Sequence, residues 1–364
     1  MKFSVRGSGA VILSNIAILV VLFLAIEGLA RLVLRAEDDP EAGALERKHG
    51  RFDEMLGWTH VPGAEVRNMY GSGAHLTITA RGFRGTEDFE DDVPAGLTRV
   101  VCSGDSFTLG YGVADAQTWC AQLGLDPDFE TVNMGQGGYG IDQMYLWYSR
   151  DATFEHDIVL FTVITDDFQR ALTSRFLVYD KPVLGLSGDS VAPLNVPIRD
   201  CSFEATSCDR RGAGVARLLD RLAMKRVVDR LVRKLNWIIN KDREPPPPTA
   251  EETEILRRVL RSMSRETERR GATLVTVLLP KVEDYAHDKA NRWRTLMSEE
   301  AEAGGWEFWD LTESLRNLDA AEAERLYRDI DWHYTPEGNR WVADDLAVRL
   351  RLLLEATASG RSPE

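Results

Sequence analysis

Ser106 closes a Gly104-Asp105-Ser106 tripeptide at the end of the apolar run Arg99-Val100-Val101-Cys102-Ser103, and far downstream Asp331-Trp332-His333 supplies a carboxylate and an imidazole. These are the residue types a serine nucleophile needs. A hydroxyl attacks only when a base takes its proton, and the imidazolium that forms needs an anion beside it. A strand ending at such a turn can lift one hydroxyl to the rim of a sheet. The tripeptide alone is also an ordinary turn, so its weight comes from the residues that accompany it.

A second segment, Asn133-Met-Gly135-Gln-Gly137-Gly138-Tyr139-Gly140-Ile-Asp-Gln143, follows another short apolar run. Gly135, Gly137 and Gly140 satisfy the GxGxxG spacing of dinucleotide sites. That fingerprint belongs on the first strand of its βαβ unit, whereas here it follows the second recognisable strand. The preferred reading is that these glycines bring a backbone N–H close to a reaction centre where a Cβ would obstruct it. A plain turn is the simplest alternative. No cofactor is expected. Without a CxxC pair or an HExxH helix, no metal site is expected either.

The elements that must position these residues can be read from apolar patterning. Strands are expected at Arg99–Cys102, Thr131–Asn133, Ile158–Ile164, Ala272–Leu279 and Trp306–Trp309. Helices are expected around Gln117–Leu123, Gln143–Tyr148, Thr249–Arg270, Asn291–Ala303 and Gly338–Glu355. Short apolar strands alternating with helices imply a parallel sheet covered on both faces. Residues 31–98 form a polar, turn-rich lead-in expected to pack on this domain, which spans 99–355, and 356–364 form a C-terminal tail. Residues 171–248 interrupt the rhythm as an insertion. It holds a loop, a basic amphipathic helix over Val215–Lys241 and the stiff spacer Glu244-Pro-Pro-Pro-Pro248. That helix could lie on an anionic membrane, but apolar stripes at helical spacing usually pack, so it is expected to dock on the acidic domain.

The ends and the cysteines bear on location. After a short tail, 1–9, the run Ala10 to Ile26 is apolar except for Ser14 and Asn15, and its helical pattern continues to Leu34. Its length favours a retained transmembrane signal anchor over 10–30 rather than a signal cleaved after Gly28-Leu29-Ala30. Cys201 and Cys208 bracket a polar loop and read as a disulfide, which places the body in an oxidising compartment. Cys102 and Cys120 fall in a strand and a helix and read as buried free thiols. Among 364 residues the formal charge is −14, which argues against nucleic acid as a partner.

From about Ala80 to the C-terminal helix the chain resembles the SGNH (GDSL-type) hydrolase superfamily, in particular its membrane-anchored bacterial members. Gly104-Asp-Ser-Phe-Thr-Leu-Gly-Tyr-Gly-Val113 with Thr118-Trp119-Cys120 is similar to the first block, and Asn133–Gln143 to the second. Asp331-Trp-His-Tyr-Thr-Pro-Glu-Gly338 is similar to the last block in its Asp-x-His form. Ala80-Arg-Gly-Phe-Arg-Gly85 matches a segment that often precedes the domain. The resemblance implies a three-layer α/β/α fold with a flavodoxin-like parallel sheet. It implies Ser106 as nucleophile, His333 as base and Asp331 as the residue orienting the imidazole, with Asp329 a rival for that last role. The oxyanion would be held by the backbone N–H groups of Ser106 and Gly138.

The third block departs from the family. Where Gly-x-Asn-Asp usually supplies an asparagine amide, this chain has Ile164-Thr165-Asp166-Asp167. An ionised Asp166 cannot donate a hydrogen bond. Thr165 could substitute if the backbone shifts by one residue. The function expected on these grounds is that of an extracytoplasmic, membrane-attached serine esterase or O-acyltransferase. Its substrate would be an acylated small molecule or polysaccharide of the envelope. The alternative is a non-catalytic envelope module that binds glycan or joins envelope assembly proteins.

Overall fold

Five strands pair in parallel. They are β1 (Thr98–Gly104), β2 (Phe129–Gly135), β3 (Ile158–Val163), β4 (Thr273–Leu278) and β5 (Glu307–Asp310), laid side by side in the order β5-β4-β3-β1-β2. This is the flavodoxin-like order, and the place where it reverses, beside β1, is where such sheets open a crevice at their carboxyl ends. Alternate residues of each strand feed two separate cores. Val101, Val159, Phe161, Leu274 and Leu278 face α3 (Ile141–Asp151), α5 (Ala250–Arg269) and α6 (Asn291–Gly304). Val100, Cys102, Ile158, Leu160, Val275 and Val277 face α2 (Trp119–Leu123) and α7 (Pro336–Ala358). The strands and helices expected around the sheet are all present, with ends displaced by at most three residues.

The computed structural model describes residues 6–37, 48–177, 179–199, 224, 227–228, 247–286, 291–328 and 332–359. Two compact units divide the chain: Met1–Ala44 with Asp209–Pro246, and Leu45–Cys208 with Pro247–Glu364. The second unit carries the sheet. Its helices begin where the sequence supplies caps. Thr249 and Glu252 exchange side chain-to-backbone hydrogen bonds of 3.2 and 2.7 Å to open α5, and Thr335 caps α7 ahead of Pro336. Each cap satisfies amides the helix cannot and contributes about 1 kcal/mol. Part of the insertion is two short hairpins rather than loop, Arg175–Phe176 with Tyr179–Asp180 and Leu184–Ser187 with Ser190–Pro193.

One expectation about the cysteines is overturned. Cys102 and Cys120 are not free thiols but a disulfide, with Cα atoms 6.2 Å apart. Cys102 points to the sheet face on which α2 lies, and the first turn of α2 places Cys120 above it. The proposed Cys201–Cys208 pair lies outside the described residues. In the first unit, Arg6–Glu37 is one helix of 32 residues, but among the described residues no helix is long and apolar enough to cross a membrane. The segment expected to span over 10–30 is therefore helical without being shown as a span. That helix carries Glu27, which accepts Arg31 at 3.1 Å and the Met224 amide at 3.1 Å. Most of Val215–Lys241 lies outside the described residues. Its Met224 and Val227 pack against Ala30 of the N-terminal helix.

Candidate active site

Ser106 is the first residue of α1 (Ser106–Leu109), a single turn that starts where β1 ends. Asp105 caps it, its Oδ1 accepting the Phe107 N–H at 2.8 Å. The Ser106 N–H therefore lies in the first turn, outside the helical ladder and able to serve a ligand. Asn133 ties the turn to β2 by donating to Thr108 O and accepting from the Gly135 N–H, both at 2.9 Å. Gly135 is required at this junction because a Cβ there would come within 2.0 Å of Leu109 N. The Ala80–Gly85 segment locks the other end of α1, with the Arg84 guanidinium donating to Leu109, Gly110 and Val113 carbonyls at 2.5, 2.7 and 2.7 Å.

His333 arrives from the turn before α7. Tyr327 and Tyr334, on either side of it, both donate to Pro280 O at the end of β4, at 2.9 and 2.8 Å. Its ring lies between Phe107 and Tyr111, 4.8 Å from each centroid. The turn is tight enough to hold Trp332 at φ +61°, a left-handed conformation that a bulky residue adopts only under constraint. The result is a 2.9 Å contact between His333 Nε2 and Ser106 Oγ across 227 residues of sequence. With Nε2 engaged, a carboxylate orienting the ring has to reach Nδ1. Asp331 and Asp329, the two candidates, lie outside the described residues.

Gly138 follows β2 with φ +76°, and a Cβ there would meet the Phe176 ring at 2.3 Å. The lead-in fixes its loop. Trp58 Nε1 donates to Gly137 O at 3.0 Å, the Tyr139 hydroxyl donates to Trp58 O at 2.5 Å, and the Gln143 amide donates to Leu56 O at 2.7 Å. His60 Nε2 contacts Gly135 O at 3.1 Å, so it is this nitrogen that carries the proton. Burial above all, with the neighbouring His49, lowers the His60 pKa to about 3. Burial, with Arg84, lowers that of His49 to about 4. Both rings are neutral at neutral pH.

Asp166 lies in α4 (Thr165–Ala171) after β3. It is half-exposed and accepts Lys281 Nζ at 3.1 Å, so it presents a neutralised carboxylate rather than a donor. Burial opposes the charge on Lys281, but the Asp166 and Glu283 carboxylates outweigh it and hold the pKa above its ordinary value. Thr165 is buried in the first turn of the same helix. Asp167 is fully buried and accepts the Ile164 N–H at 2.9 Å and Arg170 at 2.6 Å. Burial first, then the Asp105 charge, pushes its pKa well above the usual carboxylate value.

These residues line one cleft of ≈ 440 Å³ at the carboxyl end of the sheet. Ser106, His333, Gly138 and Asp166 share it with Arg170 and Lys281, and its walls include Trp58, Tyr70, Tyr111, Phe176, Tyr179 and Trp332. A serine within hydrogen-bond reach of an imidazole, beside an uncommitted helix-start amide, can attack a carbonyl and hold the charge that develops.

No protein-family model and no curated protein matches the chain. Solved structures do. A lipolytic protein of the G-D-S-L family from Desulfitobacterium hafniense DCB-2 is 16% identical, over 69% of this chain and 98% of that one, with a TM-score of 0.39. The lipase/acylhydrolase of Enterococcus faecalis is 11% identical over 70% of this chain and 95% of its own, at 0.40. A family two carbohydrate esterase from Clostridium thermocellum is 9% identical over 72% and 67%, at 0.40.

Several contributors to the cleft went unread in the sequence. Arg170 had a signal, since it stands three residues after Asp167 and four after Asp166 on one helix. Lys281 had none. It reaches Asp166 from the end of β4, 115 residues away. Trp58, Phe176 and Tyr179 sit in short hairpins of two to four residues, too brief for apolar periodicity to reveal a face.

Proposed function

We propose that the chain is a serine esterase of the SGNH type that works through an acyl-enzyme on Ser106. The observation that carries this reading is the 2.9 Å His333 Nε2–Ser106 Oγ contact beside the Ser106 and Gly138 amides. His333 takes the Ser106 proton as Oγ attacks an ester carbonyl. The two amides hold the oxyanion, and the imidazolium returns the proton to the leaving alkoxide. Water, or a sugar hydroxyl in an O-acyltransferase, then attacks the acyl-enzyme with His333 again as base. Asp331 is proposed to orient His333. The aromatic walls suit the apolar faces of sugar rings, which supports acylated carbohydrate of the envelope or an exported polysaccharide as substrate.

Location belongs to the same proposal. The Cys102–Cys120 disulfide supports an oxidising, extracytoplasmic compartment. The outward Ile18, Leu19, Val21, Leu22, Leu24 and Leu29 of the N-terminal helix support attachment to a membrane.

A purified protein should hydrolyse a short-chain aryl ester and be labelled by a fluorophosphonate at Ser106. Ser106→Ala should lose the label and lower turnover by about 10⁴-fold or more. Undiminished hydrolysis by Ser106→Ala would overturn the esterase reading. A wild-type protein that neither turns over ester nor takes the label would point instead to the glycan-binding module, the reading that the carboxylate at position 166 favours.

A further inference from the structure

We propose that Arg170 is a positioning residue that holds the two oxyanion amides, those of Ser106 and Gly138, in register with each other. The inference rests on the esterase reading for the roles of those amides. The geometry comes from one nitrogen. Arg170 Nη1 lies 2.9 Å from Asp105 Oδ2, 3.2 Å from Tyr139 O and 2.6 Å from Asp167 Oδ1. Asp105 immediately precedes Ser106, and Tyr139 immediately follows Gly138. A single guanidinium therefore spans the turn after β1 and the loop after β2, touching each one residue from an oxyanion donor, and anchors both to α4 through Asp167.

The two sides are fixed differently. Asp105 uses Oδ1 to cap the Phe107 N–H and Oδ2 to meet Arg170, so its carboxylate plane cannot turn without breaking one contact. That plane sets the direction of the peptide carrying the Ser106 N–H. On the other side, the peptide carrying the Gly138 N–H is held at its carbonyl by Trp58, and Arg170 holds the next carbonyl but one along the chain. Gly138 lies between them at φ +76°, where its lack of a Cβ leaves the backbone free to move unless both flanks are tied. Phe176 closes the remaining side. Its ring lies against Gly138, and the Arg170 guanidinium sits 5.2 Å from the ring centroid.

Asp105 is 1% exposed, and Arg170 is the cation paired with it beside the nucleophile. Lysine would supply the charge without the planar guanidinium that packs on Phe176 while spanning Asp105, Tyr139 and Asp167. Arg170→Lys should therefore hold the Asp105 side and loosen the Tyr139 side. Arg170→Gln should loosen both.

The test compares wild type, Arg170→Lys and Arg170→Gln in full-length protein. With an aryl ester, Arg170→Gln should lower kcat by about 10²-fold, the scale of losing one oxyanion donor. KM should stay within about threefold and the pH midpoint of kcat should not move, because His333 is untouched. Affinity for a boronic acid, whose tetrahedral adduct presents an oxyanion, should fall in step with kcat/KM. Arg170→Lys should recover part of both losses. Hydrogen exchange gives a readout that needs no turnover: peptides containing 105–107 and 137–139 should exchange about tenfold faster in Arg170→Gln, with β4 unchanged. Wild-type exchange in both peptides would overturn the proposal, as would faster exchange across the whole sheet, which marks a purely structural role. An inactive wild type would overturn the esterase reading alone and leave exchange to judge Arg170. Should Arg170→Gln fail to fold, Arg170→Lys carries both measurements on the Tyr139 side.

Discussion

At Asp166 the chemistry of a single residue is balanced by a neighbour. An ionised carboxylate in the wall of the cleft opposes charge developing on a substrate oxygen, and the Lys281 ammonium 3.1 Å away offsets it. Because Asp166 is half-exposed, solvent screens the pair to about 1 kcal/mol. Lys281→Met should accordingly lower kcat by roughly fivefold, the equivalent of that energy. Asp166→Asn removes the opposing charge and adds an amide donor, so it should raise kcat by a similar factor. With Asp166 already replaced, Lys281→Met should have little further effect. Steady-state kinetics of the four proteins measures that coupling, and simple additivity would show that the pair does not act as a unit. The sequence revealed Ser106, Asp166 and His333 because strand ends and motif order point to them. It could not reveal Lys281, whose relation to Asp166 exists only once β3 and β4 lie side by side.

Elements were legible where burial imposes a period. The strands follow from short apolar runs, because a sheet covered on both faces favours apolar residues on both sides of its strands, and the long helices α5 and α7 follow from apolar residues at helical spacing. What a strand touches across the layer is not periodic, which is why the Cys102–Cys120 link was missed. Closing 18 residues between β1 and α2 restricts the unfolded chain by about 3 kcal/mol. The double variant Cys102→Ala, Cys120→Ala should lose about that much unfolding free energy in a denaturant titration. A reductant that leaves the wild-type midpoint unmoved would count against the link. The lead-in shows the same limit in short hairpins, whose function lies in where they dock. Trp58→Phe keeps the ring among Tyr139, Phe176 and Tyr179 but removes the N–H donated to Gly137 O. It should lower kcat several-fold with a change in stability of about 1 kcal/mol, the worth of one hydrogen bond.

The whole molecule responds to acid through groups that are neutral only because they are folded. His60 is 1% exposed, and burial lowers its pKa to about 3. In the unfolded chain it titrates near 6.5, so protons favour the unfolded state whenever the pH falls below that value. The stabilisation from keeping His60 neutral is thus fully present above pH 6.5 and is lost progressively down to about pH 3. His49 acts in the same direction down to about pH 4. Asp142 and Asp167 act in the opposite direction, since their folded pKa values are raised, chiefly by burial, and native protein takes up their protons first. The net slope mixes these signs, and a difference between two proteins isolates one of them. His60→Gln keeps an amide that can donate to Gly135 O and removes the titration. Between pH 6 and pH 4 the wild type should therefore lose about 1.4 kcal/mol per pH unit more than His60→Gln, the value of one proton. Urea unfolding of both proteins at three pH values reads this directly, and parallel slopes would mean that His60 is already protonated in the native state. A loss near this size would also destabilise the Gly135–Gly138 loop ahead of the sheet, because the lead-in that His60 anchors holds that loop. Esterase activity should then fall at a higher pH than the global unfolding transition.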